Sequence, residues 1–163
     1  MIKLETIGMF KTAKNDPTII ADGDTINGYI CTKGSDGKAD APVAGTSTVK
    51  QTSNLYVALN EINGDYSYYP NTKIADGAFL NGYLLKAWDG QNLVVNEDNI
   101  SYASGEDYSD ITAGTTVMVA YTDGKLRIAD GTTLKAEEHA ITFKVEKKVQ
   151  MNGNAIVVKI AVA

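Results

Sequence analysis

The chain has 163 residues, 44% hydrophobic and 21% charged. That suffices for one packed domain and excludes a disordered chain. The formal charge of −5 disfavours nucleic acid as a partner, and no apolar run approaches the ~18 residues of a membrane-spanning helix.

Residues 1–16 read as an extended N-terminal arm. The alternation Ile2-Leu4-Thr6 predicts a short strand free to add to a partner's sheet, with Lys11–Pro17 as a loop behind it. The opening Met1–Glu5 lacks a basic start and an apolar stretch, so no secretory signal is expected.

Next comes a repeat. Residues 20–31, IADGDTINGYIC, match residues 74–85, IADGAFLNGYLL, at seven of twelve positions, and Ile128-Ala129-Asp130-Gly131 is a third, shorter copy at the same spacing of 54. Each long copy predicts a strand end, a tight turn, a short strand, a second turn at Asn-Gly, and a strand led by Tyr29 or Tyr83. The expectation is a duplicated β-unit with internal pseudo-symmetry. Cys31 aligns with Leu85, so it reads as a small buried hydrophobe.

Three hairpins are expected. The first spans Leu55 to Tyr69 around Asn63-Gly64, with Pro70 stopping the strand or placing it at an edge. The second spans Val117 to Asp130 around Asp123-Gly124, setting Tyr121 opposite Leu126 and Val119 opposite Ile128. The third turns at Asn152-Gly153 as a two-residue loop, so that Val145 faces Ile160, Phe143 faces Val162, and Glu146 forms an opposite-charge pair with Lys159. Between the last two, Lys135–His139 forms one helical turn at most.

These hairpins belong to a wider pattern. Ten of the 15 glycines follow Asn or Asp. Such dipeptides tolerate the positive φ of tight hairpin turns, and their density predicts an all-β protein of many short strands.

Chemistry is sparse. The lone Cys31 excludes a disulfide framework and a cysteine-based zinc cluster, and the lone His139 excludes multi-histidine metal sites. No Gly-x-Ser-x-Gly elbow, phosphate-binding loop or dinucleotide fingerprint is present, so no catalytic residue is expected. Glu97-Asp98-Asn99 and Glu106-Asp107 with Asp110 are rich in oxygen ligands but fit no calcium loop, and read as solvated acidic loops. No cofactor or metal is expected.

The aromatic residues leave several readings open. Tyr66, Tyr68 and Tyr69 crowd one strand and suit a carbohydrate platform, a protein interface or edge-strand packing. Trp88 caps a core or sits on a surface. Charge is uneven: residues 54–124 carry net −8 and residues 125–163 net +3. Either these regions attract each other between neighbouring subunits, or they are two solvated faces.

The opening MIKLETIGMF, the two IADG repeats, TTVMVAYTDGKLRIADGTT and the closing ITFKVEKKVQMNGNAIVVKIAVA together resemble the small, Gly-rich, nearly helix-free proteins that decorate tailed-bacteriophage heads, also called cement or head auxiliary proteins. The resemblance implies a single compact all-β domain over residues 1–163, an antiparallel β-barrel, β-tulip or sandwich. It implies a homotrimer made in the host cytoplasm and carried on the capsid exterior, clamping major capsid protein subunits without nucleic acid, membrane or catalysis. Candidate contacts are Ile2, Leu4, Phe10, Tyr66, Tyr68, Tyr69 and Trp88. The alternatives are a carbohydrate- or receptor-binding β-module and a tail or baseplate structural protein. Residues 20–28 also resemble turns of biotinyl and lipoyl carrier domains. Lys33 and Lys38 lack the surroundings of a modified lysine, so that likeness reads as convergent turn geometry.

Overall fold

The computed structural model describes residues 2–4, 15–60, 73–151 and 153–163. Among them the regular structure is strands and short 3-10 turns, one of which, Ala136–Glu138, occupies the expected single turn. The protein is all-β, built from curled half-barrel sheets.

The larger sheet has seven strands. In spatial order they are β1 (Ile2–Leu4), β9 (Asn92–Asn96), β14 (Asn154–Val162), β13 (Ile141–Gln150), β11 (Val117–Ala120), β12 (Leu126–Ile128) and β10 (Ile100–Ser101). The smaller has five: β2 (Asn15–Ile20), β8 (Phe79–Leu84), β6 (Tyr56–Ala58), β4 (Ile30–Lys33) and β5 (Ala39–Asp40). A two-stranded piece pairs β3 (Thr25–Ile26) with β7 (Lys73–Ile74). The strands pair antiparallel except β10 with β12, which run parallel.

Period-two alternation builds the core. Ile141, Phe143 and Val145 of β13 and Ile156, Val158 and Ile160 of β14 all point inward. They meet Ile30 and Val57 of the smaller sheet together with Leu85 and Trp88. Each large side chain so buried contributes roughly 1.5–3 kcal/mol. A second cluster of Ile19, Ala21, Cys31, Ala58 and Leu80 belongs to the smaller sheet and its turns. Cys31 is buried there as its alignment with Leu85 predicts, and burial pushes its thiol up to about 12.

The two long repeats lie against each other in antiparallel register. β2 meets β8 through Ile19↔Leu80 and Ile20↔Phe79, and β3 meets β7 through Thr25↔Ile74 and Ile26↔Lys73. Shifting every residue by 54 turns the first set of pairs into the second, which is a local two-fold. The turns between them interlock: Asp76 accepts from the Gly23 N–H at 2.8 Å, and Asp24 from the Asp76 N–H at 3.2 Å. The second Asn-Gly step departs from expectation. Asn27-Gly28 is a turn, but Asn81-Gly82 runs through the interior of β8. Strand β8 lies between β2 and β6, and both neighbours take up its backbone groups. Asn60 ties the two copies together, its N–H donating to the Asn27 side chain and its side-chain oxygen accepting from the Asn81 N–H.

Both described hairpins shift by one pair at the tip from the expected register, and the first turns through three residues. Tyr121 N–H donates to the Lys125 carbonyl, and Gly124, at φ +75°, closes the loop. Ala120 therefore faces Leu126, and Met118 faces Ile128. Such a loop combines a type I turn with a left-handed glycine, whose twist also suits the flanking strands. At the second tip Gln150, rather than Met151, faces Asn154. A bulge between Val145 and Lys147 adds a further shift. Val145 then faces Val158, Phe143 faces Ile160, and Lys144 faces Lys159. The expected Glu146–Lys159 pair is not made. The apolar face outweighs a surface ion pair, which contributes about 1 kcal/mol at most.

The third IADG copy is a local turn. Asp130 accepts from the N–H groups of Thr132, Thr133 and Leu134, and these bonds hold its carboxyl down at about 2. Asp16 is held at about 2 chiefly by the Lys33 ammonium at 2.7 Å. Both values are depressed below the ordinary 3.8. Their stabilisation is therefore fully present above the ordinary value and is lost as pH falls through about 2. Thermal melts from about pH 5 to about pH 2 are expected to show declining Tm, with a shallower decline in Asp130→Asn. An unchanged slope in that variant contradicts the assignment.

Candidate interaction surface

The structure relocates several of the expected contacts. Trp88 ends the 3-10 turn Leu85–Trp88 and is fully buried, its ring centroid 5.5 Å from that of Tyr83. It is a core residue and offers no surface platform. Ile2 and Leu4 pair with Val95 and Leu93 of β9 in the chain's own sheet, which corrects the expectation of a strand added to a partner. The β9 backbone groups on that side take their partners within the chain. Phe10, Tyr66, Tyr68, Tyr69 and the Asn63-Gly64 hairpin lie outside the described residues.

The reactive side chains are occupied or shielded. His139 is 1% exposed, and its Nδ1 lies 2.9 Å from the Lys135 carbonyl oxygen. Its Nε2 has no hydrogen-bond partner among the described residues. Four of the five carboxylates in the acidic loops accept hydrogen bonds within the chain. Asp107 accepts from the Ser109 N–H and hydroxyl, and Asp110 accepts from the Asp107 N–H. Glu106 accepts from the Ala103 N–H, and Glu97 from the Asn154 amide. No group of three or more metal-ligating side chains occurs among the described residues. The acidic and basic regions meet within one chain: Lys148 Nζ lies 4.5 Å from the Tyr108 ring centroid and donates to the Tyr108 carbonyl at 2.8 Å.

The register of β13 and β14 sets an unusual outer face. Val117, Lys144, Lys159 and Asn92 form one row across four strands. Lys144 and Lys159 are both exposed and directly opposed, and neither forms an ion pair among the described residues. Lys147, also exposed, lies further along the hairpin, opposite Val157. Like charges directly opposite each other destabilise a sheet, so this row gains energy from an acidic surface laid across it. Sequence reasoning missed it by placing Glu146 opposite Lys159. The signal that finds it is the shifted pairing at the tip with the bulge between Val145 and Lys147.

No membrane-length apolar helix occurs among the described residues. Compared with family models, curated proteins and solved structures, the chain matches none.

Proposed function

We propose that this protein is a structural component of a tailed-phage head. It binds the outside of the capsid as a homotrimer and stabilises it by bridging major capsid subunits. The reading is supported by a scaffold of strands whose histidine and cysteine are buried, and by the family resemblance of its repeats and closing hairpin. The observation that carries it is the opposed lysine pair Lys144 and Lys159, which forms no ion pair among the described residues. On the capsid it lies against carboxylates, and three copies per trimer bind with avidity because the second and third contacts are intramolecular.

Co-sedimentation with expanded, undecorated phage heads tests this. The wild-type chain is expected to pellet with heads, and Lys144→Gln/Lys159→Gln to bind about tenfold more weakly at low salt with its fold unchanged. Light scattering after size exclusion is expected to give three times the 17.4 kDa chain mass. Failure of the wild-type chain to pellet overturns the proposal. Equal binding by the double variant overturns the assigned face.

A further inference from the structure

The smaller sheet holds a cleft of about 560 Å³, within the size range of small-molecule sites. Tyr56 of β6 and Leu84 of β8 supply an aromatic and an aliphatic wall. Lys33, Lys86 and Asn54 supply polar groups, and the lining contains no carboxylate.

The polar groups are donors held in place by acceptors of their own. Lys86 Nζ donates one N–H to Asn54 Oδ1 at 2.6 Å, leaving two. With its oxygen taken, Asn54 presents its NH₂ group. Lys33 Nζ donates to Asp16 Oδ2 and Thr18 Oγ1, both at 2.7 Å, leaving one N–H. Two oriented ammonium groups, a carboxamide NH₂ and the hydroxyls of Thr52 and Tyr56 thus line one cleft. A site rich in donors beside an apolar wall matches a ring with a hydrocarbon face and an attached oxyanion.

We infer that this cleft binds a carboxylate-bearing sugar, of the uronic acid class. The carboxylate lies between Lys33 and Lys86 with Asn54 donating to it, and the ring's C–H face lies on Tyr56 and Leu84. This site involves neither the lysine row nor Trp88, and stands or falls apart from the capsid proposal.

Titration of the full chain with glucuronate, followed by amide NMR shifts, tests it. Saturable shifts confined to β4, β6, β8 and residues 52–54 and 86 are expected, with none from glucose. Lys86→Gln is expected to weaken binding about tenfold with Tm unchanged. Asn54→Asp keeps a partner for Lys86 but places a negative charge in the cleft. It is expected to abolish binding while the protein stays folded, which a merely structural role for Asn54 does not produce. Absence of saturation, or unchanged binding by both variants, overturns the inference. Equal or tighter binding of sulfate or a tetraglutamate peptide overturns the saccharide assignment.

Discussion

Replacing Trp88 with alanine is expected to destabilise the protein by about 3–5 kcal/mol. The indole is fully buried against Tyr83 and shares the main core with Leu85, Leu93 and Phe143. Its removal leaves a cavity that close-packed sheets on both sides cannot fill by collapse. For a chain of this size the Tm is expected to fall by on the order of 10 °C. Trp88→Phe separates the causes. The indole Nε1 is buried without a hydrogen-bond partner among the described residues, so phenylalanine removes an unsatisfied donor along with some volume. Its cost is expected to be well under half that of alanine, measured by urea unfolding. Equal losses in the two variants contradict the packing account.

Replacing Gly124 with alanine is expected to cost about 2–4 kcal/mol, by two effects that add. Gly124 sits at φ +75°, where a side chain is strained, and a Cβ there runs into the Tyr29 ring. The contact joins the β11–β12 tip to the first repeat, because the Gly124 carbonyl also accepts from Ile30 N–H at 2.8 Å. Gly23 provides the control. Its φ is +88°, but a Cβ there meets nothing within 4 Å, so Gly23→Ala is expected to cost only about 1–2 kcal/mol. Comparable losses at the two sites in denaturant melts contradict the role given to Tyr29.

The turn chemistry was legible in the sequence because it is local. Of the Asx-Gly glycines in the described residues, Gly82 alone lacks a positive φ. Its place inside β8 depends on neighbours distant in sequence, β2 and β6. The repeat was legible as a repeat, but only the pairing of residues 19–26 with 73–80 revealed the two-fold. Register was misread at both described tips for one reason, and at the closing hairpin the bulge between Val145 and Lys147 added a second. Asp-Gly and Asn-Gly serve a two-residue loop and a three-residue loop alike, and the choice moves every pair by one. Trp88 was ambiguous because its neighbours Asp89 and Gly90 are polar, whereas its burial comes from strands on either side of it in sequence. The cleft was illegible, since Lys33, Asn54 and Lys86 belong to three separate segments.

The proposed capsid-facing role rests on which residue stands across from Lys159, because that decides whether a lysine or a glutamate opposes it on the outer face. Cross-strand backbone NOEs in the folded protein read this directly. The account predicts contacts of Lys144 with Lys159, Val145 with Val158 and Phe143 with Ile160. Contacts of Glu146 with Lys159 and Val145 with Ile160 would contradict it.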